Sequence, residues 1–249
     1  MEYWKIAVLF GVGAVAGFIN VMAGGGSTIT LPTLIFLGLD SAMANGTNRI
    51  AIGLQNISGI ISFRREGFHQ FKKSFILSLF TLPGAIIGAF VAIKIDNLLF
   101  QRILGIVMIG IVISMFFIPQ SRTSKKVRKG TLHEFLIYVA MFGIGFYGGF
   151  IQVGVGFLIM ASFYHILNLN LIYINMHKLF IVFIYTIPAL FIFIMTGNVN
   201  WGFGLSLASG NAFGAWWSAK ISVKGGEKII RIILGVTIII MALKLFSCY

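Results

Sequence analysis

The sequence predicts an all-α fold, a polytopic bundle of transmembrane helices built from two repeats, and three observations carry that prediction. Hydrophobic residues make up 58% of the 249-residue chain and charged residues only 10%, where a soluble domain needs roughly a quarter charged to keep its surface solvated. The apolar residues fall into runs bounded by charge, Gly or Asn, most of them long enough for the ~20 residues that a crossing helix requires. The second half of the chain also repeats landmarks of the first at an offset of about 130 residues, as in Asp40 to Asn170 and Gly67 to Gly197.

In chain order the runs are 4–25, 27–39, 42–63, 74–93 and 99–118, then 134–153, 157–169, 171–196, 202–222 and 228–246. The first has Lys5 ahead of it and Val21-Met22-Ala23 near its end, like a signal peptide. Its counterpart 134–153 is internal, so 4–25 reads as a retained helix. Runs 27–39 and 157–169 are too short to cross ~30 Å of hydrocarbon as straight helices. Each follows a glycine-rich break, Gly24-Gly25-Gly26 and Gly154-Val155-Gly156. Paired short or glycine-interrupted segments in two halves point to a ligand site of the kind membrane carriers use. The matches Gly24/Gly154, Gly26/Gly156, Asn45/Asn175 and Gly105/Gly235, with Gly84/Gly210, Gly88/Gly214 and Lys94/Lys220 after a gap, extend the correspondence along both halves. The expected organisation is therefore a first repeat at 1–118, a basic cytoplasmic linker at 119–133 and a second repeat at 134–249.

Charge sets the expected orientation. Of 19 Lys and Arg residues, 13 fall in three clusters, at 64–73, 119–133 and 220–231. Placing all three clusters in the cytoplasm requires an odd number of crossings per half, hence two inverted five-element repeats with short, broken or half helices. The alternative makes each short run half of a re-entrant pair, with parallel repeats. The net charge of +13 reads as this asymmetry plus attraction to anionic lipid. No nucleic-acid motif accompanies it. The expected location is a multi-pass position in the cytoplasmic (inner) membrane.

Two cations, Arg49 and Lys178, lie inside apolar runs, whereas the six acids Glu2, Asp40, Glu66, Asp96, Glu134 and Glu227 sit at segment ends or in loops. A cation at membrane depth is costly, about 2.5–3.5 kcal/mol on insertion scales, and seeks a partner or a cavity. With no acid at depth, a small anionic substrate is one partner, and snorkelling to an interface is the bland alternative. Gly24, Gly25 and Gly26 with Ser27 and Thr28 open a short helix whose N–H groups and hydroxyls suit an anion. Gly154 and Gly156 do the same in the second half without hydroxyls. Close helix packing is the competing use of such glycines. Asn45, Thr47 and Asn48, with Gln152, Asn175 and His177, complete the candidate set beside the two cations. His177 could carry a proton or serve as a neutral hydrogen-bonding group. The sequence offers no catalytic constellation, metal-ligand spacing or cofactor motif, and Cys248 has no reactive neighbour. A membrane-embedded enzyme is disfavoured on that ground, and no oligomeric state is legible.

The stretch Gly17-Phe-Ile-Asn-Val-Met-Ala-Gly-Gly-Gly-Ser-Thr-Ile-Thr-Leu-Pro32 followed by Ala44-Asn-Gly-Thr-Asn48 resembles the first-half signature of the sulfite exporter TauE/SafE family. Gly148-Gly-Phe-Ile-Gln-Val-Gly-Val-Gly156 with Gly197-Asn-Val-Asn-Trp201 resembles its second repeat, departing at Phe157 and Ser162. The resemblance covers essentially the whole chain. It implies a small permease for sulfur-containing or carboxylate anions, with the glycine motifs near the substrate path. The expected function is secondary transport of a small anion, such as sulfite or an organosulfonate, by alternating access. An anion channel, a membrane sensor and a carboxylate carrier are the alternatives, and the direction of transport is not legible in a nearly symmetric repeat.

Overall fold

The computed structural model describes residues 3–116, 131–167 and 169–247. Most of the expected linker at 119–133, and Cys248, lie outside the described residues. The described chain is helical, with no strand: α1 (Tyr3–Met22), α2 (Ser27–Phe36), α3 (Ser41–Arg65), α4 (Phe71–Lys94), α5 (Asn97–Phe116), α6 (Thr131–Phe150), α7 (Val155–Ser162) running into a π-turn (Phe163–Leu167), and α8 (Leu171–Met195). The last helical stretch, Trp201–Ser247, is broken at Gly226 (φ 65°, ψ −167°) into α9 (201–225) and α10 (227–247). Each expected run thus corresponds to a helix. The chief departures are that α6 begins at Thr131 and that the short run 157–169 is a two-turn helix closed by a π-turn.

Matching residues in the two halves set matching helix ends. Asp40 Oδ1 accepts from Met43 N at 2.8 Å to start α3, and Asn170 Oδ1 accepts from Ile172 N at 2.8 Å to start α8. Just past the other ends, Gly67 (φ 87°) and Gly197 (φ 73°) take the left-handed conformation that closes a helix.

Packing rests on close backbone approach. Gly13 and Gly17 of α1 press on the carbonyls of Leu207 and Asn211 in α9, while Gly210 and Gly214 of α9 press on those of Phe10 and Ala14. The pair α4/α6 repeats the arrangement, with Gly84 and Gly88 against Phe142 and Phe146, and Gly145 and Gly149 against Thr81 and Ala85. In lipid, apolar side chains gain little from meeting each other, so small residues that bring backbones together drive association. Hydroxyls add links across helices: Ser58 and Ser62 of α3 donate to the carbonyls of Ala212 and Trp216 at 2.7 and 3.0 Å, and Ser218 of α9 donates to Phe18 at 2.7 Å. The outer faces are apolar, as at Phe75, Leu79, Ile87 and Phe90 of α4. Among the described helices, Tyr3–Met22, Lys72–Lys94 and Leu171–Met195 are long and apolar enough to cross a membrane.

These contacts refine the internal register. The glycines of α1 and α6 correspond at an offset of 132 residues (Gly13 to Gly145, Gly17 to Gly149), which aligns Gly17-Phe-Ile-Asn-Val21 with Gly149-Phe-Ile-Gln-Val153. Two residues, Met22 and Ala23, separate Val21 from Gly24, whereas Val153 adjoins Gly154; this returns the offset to 130 beyond the breaks.

Candidate functional site

The two breaks meet. Gly24 (φ 86°) lies so close to Gly156 that a Cβ on either would overlap the other's backbone. Gly154 (φ 73°) turns the second break, and Gln152, a non-glycine at φ 66°, shares the left-handed conformation. A residue with a side chain rarely sits there, because its Cβ crowds the following carbonyl. The break glycines thus serve contact and turning, with α2 and α7 starting side by side.

Beside this contact is a small cavity lined by Asn20 of α1, Ser27 of α2, Ile52 and Asn56 of α3, Gln152, Val155 and Gly156 at the second break, and Lys178, Leu179, Val182 and Tyr185 of α8. About 10 Å³ of it is open to the centre of a water molecule, room for roughly one water. Its wall combines polar groups with the aliphatic side chains of Ile52, Val155, Leu179 and Val182. Asn56 Nδ2 meets no hydrogen-bond partner among the described residues. Tyr185 stands beside Gln152, yet neither the Tyr185 hydroxyl nor Gln152 Oε1 completes a bond of good geometry. The other end of the Gln152 amide donates to Thr186 Oγ1 at 3.2 Å, and Asn20 Nδ2 donates to Gln55 Oε1 at 3.1 Å.

Both buried cations cap a helix of the opposite half. Lys178 Nζ donates to the carbonyls of Asn20 (3.0 Å) and Val21 (2.8 Å) at the end of α1 and to Asn175 Oδ1 (2.8 Å), with Met160 Sδ at 3.7 Å. Arg49 Nη1 donates to the Gly148 carbonyl (3.2 Å) and Nη2 to that of Gly149 at the end of α6, with Asn45 Oδ1 at 3.4 Å and the Phe193 ring 4.8 Å away. Asn45 Nδ2 donates to the next carbonyl, Phe150, at 2.6 Å. The last carbonyls of a helix have no donors within it and carry partial negative charge, so a cation there is stabilised without any carboxylate. Sequence reasoning, which counts side-chain charges, has no means of seeing these partners.

The remaining expected residues divide in the same way. Ser27 faces the cavity. Thr28 turns its hydroxyl back to the Gly25 carbonyl at 2.6 Å. Gly26 packs where a Cβ would strike the Ala16 carbonyl. Thr47 Oγ1 accepts from Asn200 N at 2.9 Å, and Asn48 Oδ1 accepts from Thr30 Oγ1 at 2.7 Å. His177 Nδ1 pairs with Ser74 Oγ at 2.6 Å, on the α4 side of α8. Of the expected set, Ser27, Gln152, Gly156 and Lys178 line the cavity, and Arg49 does not.

The model of the family described as sulfite exporter TauE/SafE matches residues 9–245. The chain belongs to the TauE/SafE family. It is 27% identical to a probable membrane transporter protein of Haemophilus influenzae over 240 residues, covering 96% of this chain and 94% of that protein. It is 27% identical to the probable membrane transporter protein YfcA of Escherichia coli K12 over 241 residues (96% and 89%), and 26% identical to the probable membrane transporter protein YunE of Bacillus subtilis over 265 residues (97% of each). No solved structure matches the chain. As a TauE/SafE member the protein is a membrane transporter. Asn20 is a cavity residue that the candidate set lacked. The signal that finds it is its equivalence to Gln152 in the paired Gly-Phe-Ile-Asn-Val and Gly-Phe-Ile-Gln-Val segments.

Proposed function

We propose that this TauE/SafE transporter is a multi-pass secondary carrier of the cytoplasmic membrane, not an enzyme, and that it moves a small, sulfur-containing anion such as sulfite or an organosulfonate by alternating access. The observation that carries the reading is the cavity between the two breaks, where Lys178 places a positive charge beside the first residues of α2 and α7. Helix N-termini and an ammonium together favour an anion. Ser27, Asn56, Gln152 and Tyr185 add hydrogen-bonding groups, and the aliphatic lining residues suit the organic part of a sulfonate. A short carboxylate would meet the same chemistry, so the transport assay includes both.

The cavity holds about one water as it stands, so loading requires the breaks to part. Inverted repeats at 1–118 and 134–249, joined by the basic segment 119–133, supply a means: one rocks against the other around the shared site. Support for that arrangement comes from the exchange of partners, in which α1 packs on α9 as α6 packs on α4. Reconstituted protein should take up radiolabelled sulfite, methanesulfonate or acetate saturably and show counterflow. Lys178→Ala should lose at least about tenfold in uptake, the cost of removing a charged hydrogen bond. Unsaturable flux without counterflow would make it a channel, and undiminished uptake in Lys178→Ala would move the site elsewhere.

A further inference from the structure

The two buried cations are related by the fold yet differ by one helical turn in where they grip, and that turn separates their roles. Under the 132-residue correspondence of α1 and α6, the carbonyls held by Arg49, of Gly148 and Gly149, are equivalent to those of Ala16 and Gly17. Lys178 holds Asn20 and Val21, four residues further on and at the break itself. Four residues are about one turn, or ~6 Å along the axis. Lys178 therefore reaches the cavity wall and Arg49 stays behind it.

Their bonding differs in the same sense. The guanidinium of Arg49 is fixed by two carbonyls, an amide oxygen and an aromatic face, and it is fully buried. A planar fork held in this way loses little further freedom. Lys178 is a compact ammonium on a flexible stem whose close acceptors, Asn20 O, Val21 O and Asn175 Oδ1, are all neutral. The Asn20 carbonyl also accepts from Gly24 N at 2.9 Å, so it keeps a donor if Lys178 leaves. The Val21 carbonyl depends on Lys178 more heavily, because the left-handed turn at Gly24 diverts the chain before another helical bond can form.

Resting on the anion site proposed above, we propose that Lys178 is an exchangeable latch and, of the two cations buried among the described residues, the one that touches the substrate: an anion in the cavity draws Nζ off the Asn20 and Val21 carbonyls and so frees the end of α1 and the first break, while Arg49 remains a permanent clamp on α6. The direction follows from charge: an anion offers the ammonium a Coulombic attraction at low dielectric that neutral carbonyls do not. Lys178 is thus a positioning residue for the break as well as a ligand for the anion, and binding is coupled to opening through a single side chain.

Hydrogen exchange of the full chain in nanodiscs tests both halves of the proposal. Without any anion, Lys178→Met should speed exchange of the amides at 23–28 about tenfold, the effect of one lost hydrogen bond, and leave those at 151–157 unchanged. Unaltered exchange at 23–28 in that variant would overturn the latch whether or not any anion binds. Saturating sulfite or methanesulfonate, whichever raises the thermal midpoint of the wild type, should accelerate 23–28 in the wild type toward the Lys178→Met level. Slower exchange there on binding would overturn the release. Lys178→Arg, which keeps donors to both carbonyls and should fold, is expected to stay slow with and without the anion, and fast exchange in it would count against the latch. Should no anion raise the midpoint while Lys178→Met still loosens 23–28, the anion site and the anion-driven release fail and the latch contact stands.

Discussion

The first break spends three glycines in succession, with a left-handed turn at Gly24, whereas the second spends two and forces Gln152 into the left-handed region beside Gly154. The same mechanical task, ending one helix and starting another inside the bundle, is met with different chemistry on the two sides. In both cases the exposed carbonyls at the helix end are answered by a cation from the other half, Lys178 for α1 and Arg49 for α6. A helix end buried in lipid needs donors that lipid does not supply. The comparison teaches that a buried cation in such a chain finds its partner in the backbone of the opposite half, with no carboxylate needed.

The comparison is most directly broken by removing the clamp. Arg49→Ala leaves the Gly148 and Gly149 carbonyls and Asn45 Oδ1 without their donor and opens a void. At roughly 1–3 kcal/mol per buried unsatisfied group, the three groups together predict a loss of about 3–9 kcal/mol. Lys178→Ala should cost less, about 2–4 kcal/mol, because the Asn20 carbonyl keeps the Gly24 N–H and the adjoining cavity admits water. Thermal unfolding in detergent ranks the two, and a larger loss for Lys178→Ala would reverse the assignment of clamp and latch.

Gly24→Ala comes next. Its Cβ would overlap the Gly156 backbone, which has no side chain to move aside, and its φ of 86° adds strain. Overpacking and left-handed strain together predict a loss of about 2–4 kcal/mol. Gly197→Ala isolates the second part of that sum. Gly197 has a similar φ of 73° but open space where the Cβ would go, so it should lose only about 1–2 kcal/mol. Equal midpoint shifts in the two variants would mean that the contact between the breaks contributes nothing.

Much of this architecture was legible because membrane helices are punctuated by residues with fixed meanings. Glycine runs, Asp40 and Asn170, and the basic clusters mark boundaries that the structure places within a few residues. The glycine pairs Gly84/Gly88 and Gly210/Gly214 carried the repeat, and each lies on a carbonyl of its neighbour. The partners of Arg49 and Lys178 were not legible, because backbone carbonyls are present at every residue and only the helix ends expose them. The two-residue shift between α1 and α6 is not legible for a related reason: the offset near 130 is anchored on the glycines of the breaks, while helix contacts follow Gly13, Gly17, Gly145 and Gly149. With an offset of 130 throughout, Lys178 falls opposite Asn48, next to Arg49, and pseudo-symmetry brings the two charges towards one central site.

The smallest effect on stability discriminates best between structure and transport. Gln152 occupies a left-handed position that costs a side-chain-bearing residue about 1–2 kcal/mol, and Gln152→Gly would relieve it. The same change removes the bond to Thr186, worth about 1 kcal/mol, and adds the backbone freedom of glycine to the unfolded chain, about 0.4–1 kcal/mol. These terms nearly cancel, so the unfolding midpoint should move by no more than a few degrees in either direction. Uptake should nevertheless fall, because the amide on the cavity wall is gone while the turn that shapes the wall is kept. A residue retained in a strained conformation without benefit to stability is accounted for by what its side chain does. If Gln152→Gly transports as the wild type does, the amide has no part in binding and the anion is met by Lys178, Ser27, Asn56 and Tyr185.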